Sequence, residues 1–368
     1  MIFEEQARRL HACDTPLDAW PLRAVLPPSE RILHVHLDTD DDPQGGMQRA
    51  LNLWGSDVDR IAWTRVGVEA TRRQVVEACR RQQPTLVFMQ LQTPGVLDVE
   101  ALRAMREAAP DALLVTWCGD VGGSNGPHEP LAGWPWLDEL ADNVHLCLFT
   151  SFAQVEVLRG RGHPNASYLQ IGYDQQWFNA AHRHVSSKYR VAFLGQNYGH
   201  NFDQTMPGND APLRAQLVKA LKAALGKDFF LGGGGWGGLE DAFVSSKDSA
   251  DIYDQSALAV SLSLTQSLGR YSSDRLLRCL ACGVPTFVRE FSGMSSWGLR
   301  HLDNCIVWPA EMSVERAVEW IAHFNPADTI GQNGARLAQQ HHTWEVRMRE
   351  LAVYLAALRG VEITTETL

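Results

Sequence analysis

The sequence predicts an α/β protein built from two Rossmann-like domains, each a parallel sheet flanked by helices. Three observations predict it. Short apolar runs alternate with amphipathic stretches of about 10–15 residues, the pattern of βαβ units. At 368 residues the chain is long for a single core. The alternation stops over the polar residues 173–188 and then restarts without any repeat of sequence.

Residues 1–30 read as a helical lead-in and a connector, Leu26-Pro27-Pro28-Ser29. Apolar runs then predict strands at 32–38, 60–66, 85–91, 112–117, 145–150 and 168–172. Between them, apolar residues recurring at helical spacing predict helices at 69–82, 98–109, 134–142 and 152–160. After the polar hinge come strands at 190–194, 228–231, 257–264, 285–289 and 306–308. Helices are expected at 211–225, 273–282, 313–323, 328–341 and 344–358. The domain boundaries expected are 1–175, 176–343 and a final helical segment 344–368.

Composition narrows the class. Apolar content of 45% and charged content of 21% fit an ordinary globular protein. No apolar run approaches the ~20 residues that span a bilayer, and the start lacks a basic-then-apolar export pattern, so a cytoplasmic protein is expected. Seven cysteines are scattered rather than arranged as a framework, and Cys279 and Cys282 read as buried thiols. His34 and His36 share one strand face and read as structural. The net charge of −10 disfavours a broad nucleic-acid surface. The local exception is Arg65, Arg72, Arg73, Arg80 and Arg81, read as a solvated helix face or a patch for a polyanionic acceptor.

The most informative stretch is 270–291. Its polar loop enters a helix through Ser272, Ser273 and Asp274, runs apolar through Leu276, Leu277, Leu280 and Ala281, and stops at Gly283 before Pro285. Free amides and the dipole at such a helix start favour an anion. Glycine then permits an abrupt stop, and proline cannot continue the helix.

That stretch also resembles the nucleotide-sugar site of GT-B glycosyltransferases, in the "glycosyl transferases group 1" branch with spore-coat-type enzymes. There a Ser-Asp-Arg-Leu…Leu-Ala-Cys-Gly-Val-Pro run is usual. The likeness extends through 250–264 and Val191-Ala192-Phe193-Leu194-Gly195-Gln196-Asn197-Tyr198. It implies a donor domain in the second half, an acceptor domain in the first, and a last helix that crosses back onto the first domain. It also implies that the Gly232–Gly238 loop, like the family's Gly-x-Gly-Trp loop, lies near the nucleotide, with Gly234 and Trp236 beside the donor.

The candidate residues follow from their chemistry. Arg270 is expected to neutralise the departing diphosphate through bidentate contacts. Ser272 and Ser273 offer hydroxyls and amides. Asp274 is either an acceptor for ribose hydroxyls or a plain helix cap partnered by Arg275. Gly195, Gln196 and Asn197 follow a strand, where open sheets bind ligands. Gly45 and Gly46 open a helix and could approach phosphate or sugar. Arg278 stands where many relatives carry a ribose-contacting Glu, which implies a donor held differently or carrying extra negative charge. Asp120 or His128 is the candidate general base toward the acceptor hydroxyl. The aspartate run 40–42 lacks supporting ligands, so no metal is expected.

The expected function is transfer of a sugar from a nucleotide-diphosphate donor, such as a UDP-sugar, to a hydroxyl acceptor, by a retaining and metal-independent route. Polysaccharide, protein, a metabolite or a hydroxymethylated DNA base all fit as acceptor, nucleic acid entering only in that role. A non-catalytic sugar-nucleotide or glycan-binding protein, and an epimerase of the same fold, are the alternatives.

Overall fold

The computed structural model describes residues 30–39, 44–119, 135–182, 187–197, 210–246, 248–265 and 268–360. The chain divides into two compact units, one holding the first half together with the residues from Trp344 onward, the other Gly172–Thr343.

The first unit opens with β1 (Glu30–His36), α1 (Gly45–Trp54), β2 (Gly55–Ala62), α2 (Trp63–Val66) and α3 (Val68–Gln82). It continues with β3 (Leu86–Gln90), α4 (Val99–Ala108), β4 (Leu113–Cys118), α5 (Pro135–Asn143), β5 (Leu146–Phe149), α6 (Phe152–Gly160) and β6 (Ala166–Tyr168). The six strands are all parallel in the order β2-β1-β3-β4-β5-β6. Parallel strands covered on both faces must be apolar throughout, and β3 and β5 are buried at every position. One face packs Leu33, Val35, Val87 and Met89 against α3 and α4. The other packs Ile32, Phe88, Trp117 and Leu148 against Met47 and Leu51 of α1.

Helix α12 (Trp344–Leu358) completes that second face through Trp344, Met348, Leu351 and Leu355. Trp344 meets Trp117 edge to face at 5.3 Å. Tyr354 Oη donates to the Tyr168 carbonyl at 2.6 Å, and Arg359 pairs with the buried Glu30. The chain's last described helix therefore belongs to its first sheet, as the resemblance implies.

The second unit runs β7 (Tyr189–Leu194), α7 (Ala211–Leu225), β8 (Phe229–Gly232), α8 (Ser249–Asp254), β9 (Ser256–Ser261) and α9 (Asp274–Ala281). β10 (Thr286–Arg289), β11 (Ile306–Trp308), α10 (Val314–His323) and α11 (Asp328–His341) follow. Its five parallel strands lie in the order β11-β10-β9-β7-β8. Val191, Phe193, Leu231, Val260 and Phe287 form its core with Leu217, Leu221, Ala317 and Ile321. α9 ends at Gly283, whose φ of 70° only glycine adopts readily. Gly331 of α11 lies against the Gly283 carbonyl, where a Cβ would overlap it.

Two expectations are corrected. The strand expected at 60–66 begins at Gly55 and gives way to helix at Trp63, whose indole nitrogen donates to the Gln90 carbonyl at 2.9 Å. β2 is an edge strand, so Asp57, Asp59 and Arg60 are tolerated in it and its pattern is not continuously apolar. The strand expected at 168–172 is the edge strand β6, ending at Tyr168. α8 was not anticipated, because six residues give too short a period to register. Among the described residues no helix is long and apolar enough to cross a membrane.

Candidate functional site

Strand order reverses between β7 and β9 in the second unit: β8 lies on one side of β7, and β9, β10 and β11 lie on the other. Ligands of open α/β sheets sit at the carboxyl ends of strands at such a reversal. Gly195, Gln196 and Asn197 follow β7, and Leu262 and Ser263 follow β9.

The turn after β7 is zippered to the glycine-rich loop after β8. Gly195 N donates to Gly232 O at 2.9 Å, Asn197 N to Gly234 O at 2.8 Å, and Asn197 Nδ2 to Gly235 O at 3.1 Å. A Cβ on Gly233 or Gly235 would overlap the Gly195 or Asn197 carbonyl, and both glycines have positive φ. The glycine density is therefore a requirement of one backbone lying on another. Trp236 does not offer an aromatic face. It is 3% exposed, packs edge-on to Phe193, and donates through Nε1 to the Gly195 carbonyl at 2.8 Å. A buried indole needs a partner for its N–H, and this carbonyl is that partner.

At the start of α9, Ser273 occupies the capping position without capping by its side chain. Its own amide donates to Ser263 Oγ at 2.8 Å, and the buried Ser272 lies 3.3 Å from the same oxygen. The amides of Asp274 and Arg275 donate to no described residue. Such amides carry the positive end of the helix dipole.

Two arginines that the sequence reading did not offer as site residues crowd this point. Arg275 donates through Nε to Leu194 O and through Nη1 to Leu262 O at 3.3 Å and Ser273 Oγ at 3.2 Å. Arg214 of α7 is buried and donates through Nη2 to Gln196 O at 2.6 Å. Both guanidinium carbons lie 5.1 Å from the Phe193 ring centroid. A Cβ on Gly195 would overlap Nη2 of each, so the two charges flank one point. Helical spacing exposes neither residue as a ligand; Arg275 looks like a partner of the cap, and Arg214 like one face of an amphipathic helix.

Arg278 pairs with Asp274 one turn earlier, donates to Ser246 Oγ at 2.9 Å and stacks over Phe178 at 5.2 Å. Its charge already faces a carboxylate. Arg270 adopts φ 52°, sparsely populated for a non-glycine residue. Its amide donates to Ser292 O at 2.7 Å, and its Cγ fills the space above Gly293. Beneath the helix, burial pushes the Cys279 thiol up to about 12, and Cys282 is buried too.

The second unit thus brings together Gly195, Gln196, Asn197, Gly234, Ser272, Ser273 and Asp274, with Arg278 one turn into α9. Gly45 and Gly46 begin α1 in the other unit. Asp120, His128, Tyr198 and the aspartate run 40–42 lie outside the described residues. Among the described residues no group of three or more His, Cys, Asp or Glu is arranged to hold a metal. The arginine patch is largely answered by carboxylates: Arg65 pairs with Asp38, Arg72 with Asp98 and Glu69, and Arg81 with Asp59. His34 stacks on His36 at 4.6 Å, and neither ring nitrogen of His34 has a partner.

Residues 214–352 match the family model described as glycosyl transferase-like. No curated protein matches the sequence. The fold is similar to sucrose-phosphate synthase from Thermosynechococcus elongatus, with a TM-score of 0.58 and 13% identity over 90% of this chain and 100% of that one. A glycosyltransferase from Rickettsia africae gives 0.56 and 10%, covering 90% and 99%. Anabaena HepE in complex with UDP and glucose gives 0.55 and 13%, covering 89% and 100%. With its two parallel sheets the chain has the GT-B fold of these structures, and its similarity to the glycosyl transferase-like model lies in residues 214–352.

Proposed function

We propose that the protein transfers a sugar from a nucleotide-diphosphate donor to a hydroxyl acceptor. One observation carries the reading: the zippered turn after β7 and the unengaged amides at the start of α9 meet at the strand-order reversal of the second unit. A diphosphate fits that meeting point as acceptor of backbone and guanidinium donors. UDP-sugars are the first donors to try, since the HepE structures hold UDP with glucose or UDP-glucose.

In this reading the second unit binds the donor and the first supplies the acceptor side. Ser272, Ser273 and Gly195 shape the diphosphate contacts, Arg270 stabilises the leaving charge, and the free edge of Asp274 accepts from a ribose hydroxyl. Stabilising the departing diphosphate with preorganised donors lowers the barrier without a metal. Retention of anomeric configuration, with the leaving phosphate taking the acceptor proton, is the proposed outcome. Asp120 or His128 would serve instead as base under inversion.

The test is a thermal-shift screen with UDP-, GDP-, CDP- and ADP-sugars, because a ligand of the folded form raises its melting temperature. Turnover of the stabilising donor is then followed in EDTA. Failure of every donor to shift melting removes the proposal. Binding without transfer or hydrolysis marks a non-catalytic sugar-nucleotide binder, and a changed sugar without acceptor marks an epimerase.

A further inference from the structure

We infer that the second unit carries, along α10, a binding site for a neutral oligosaccharide that is separate from the donor site and independent of that reading. The site is a surface cavity of about 620 Å³, within the usual range of small-molecule pockets. Trp320 and Phe324 form its apolar wall, and Arg316, Glu319, His323 and Asn325 bring polar groups to it. Arg316 and His323 stand two turns apart on α10, about 10 Å along its axis, so the cavity is longer than one sugar ring. Its Phe324 end lies at the start of β7, where Arg190 donates through Nε to Ala322 O at 2.7 Å and through Nη2 to Phe324 O at 3.0 Å. Gly195 follows the other end of that strand.

Two independent features point to the ligand. One is a fixed aromatic wall. Trp320 packs perpendicular to Phe287 at 5.1 Å and to Phe324 at 5.9 Å, and tilted against His301 at 5.9 Å, yet stays partly exposed. A held indole offers contact area at little entropic cost, with a polar N–H at its edge. The other feature is a set of unused hydrogen-bonding groups. Among the described residues, the Trp320 indole N–H, the Arg316 guanidinium, the Glu319 carboxylate and the Asn325 amide have no partner. His323 donates through Nδ1 to Glu319 O at 2.8 Å, which leaves Nε2 of the neutral ring as an acceptor. The set holds donors and acceptors alike, and its one cation and one anion cancel. An apolar peptide side chain would cover these groups without pairing them, at a desolvation cost. Sugar hydroxyls both donate and accept, and the C–H face of a pyranose is apolar, which suits an indole wall.

The experiment screens the full chain, without nucleotide, on an array of neutral oligosaccharides built from hexoses, N-acetylhexosamines and pentoses, beside sulfated and uronic-acid glycans. The best neutral ligand is then titrated by calorimetry into wild type, Arg316→Ala, Glu319→Ala and Trp320→Ala. Arg316 and Glu319 are exposed and unpaired among the described residues, so their variants keep the melting temperature. They remain informative where Trp320→Ala, which loses the contacts to Phe287 and Phe324, is destabilised. A neutral oligosaccharide is expected to bind wild type, and each variant to bind it about tenfold or more weakly. No neutral ligand on the array, or unchanged affinity in Arg316→Ala and Glu319→Ala, overturns the inference. Preference for sulfated or uronic-acid glycans, lost in Arg316→Ala and strengthened in Glu319→Ala, overturns the neutral class. Glycan held through this cavity with no sugar nucleotide bound would support the site and remove the donor reading. Sugar-nucleotide turnover with no glycan held at Arg316 and Glu319 would do the reverse.

Discussion

The indole N–H of Trp236 donates to the carbonyl oxygen of Gly195 at 2.8 Å, so a glycine-rich loop is anchored to the turn after β7 by its one aromatic residue. The same indole lies edge-on to Phe193, the ring against which Arg214 and Arg275 rest. Loop, turn and cations share one support.

Trp236→Phe keeps that packing and removes the hydrogen bond. Stability should fall by about 1 kcal/mol, the usual net worth of such a bond, and Trp236→Ala should cost about 3–5 kcal/mol. Urea denaturation of the two variants checks the difference. Equal losses would show that the ring alone matters.

Arg270 holds a positive φ that glycine adopts without strain. Arg270→Gly should therefore match wild-type stability or exceed it by up to about 1 kcal/mol. Donor turnover should be lost in both Arg270→Gly and Arg270→Ala. Wild-type rates in either variant would detach Arg270 from the chemistry.

Burial holds His34 well below the ordinary imidazole value of 6.5, with repulsion from His36 and Arg60 adding to it. His36 and His145 are lowered as well, burial again being the largest cause. Groups kept neutral in the folded state bind protons more weakly there than in the unfolded chain. Stability is thus at its full value above pH 6.5 and falls as pH drops below it. Arg60, Asp38 and Arg65 are the charges that act on the stacked pair. In His34→Phe the stability-versus-pH slope between pH 6.5 and about pH 5 should flatten; an unchanged slope would clear His34 of the effect.

Leu351 on α12 is fully buried in the face of the first sheet opposite α3 and α4. Leu351→Ala should cost about 2–5 kcal/mol through lost burial and a cavity. Hydrogen exchange should locate the loss in β1, β3 and β4 as well as in α12. Protection lost from the helix alone would mean that it docks without supporting the sheet.

How much of this was legible in the chain depends on how local the cause is. The parallel sheets were readable because strands covered on both faces have to be apolar from end to end. α9 was readable because Gly283 and Pro285 end it through their own backbone geometry. The likeness of 270–291 to a sugar-nucleotide site pointed to the carboxyl ends of the second unit's strands as the place to look for a donor site.

The edge strand β2 was misplaced because an edge tolerates Asp57, Asp59 and Arg60, so no period marks it. Trp236 was expected beside the donor, and only the packing of two loops turns it inward onto Gly195. Arg275 was read only as a partner of the helix cap, because local pattern does not say that its guanidinium reaches the point above β7.

Sequence by itself determined the alternating elements, the glycine breaks and the anion-favouring helix start, since each follows from the residues' own conformational and burial preferences. Tertiary structure alone decided that Arg214, 61 residues before Arg275, shares its anchor on Phe193. Convergence of that kind depends on strand order and loop packing, which no short stretch of chain encodes.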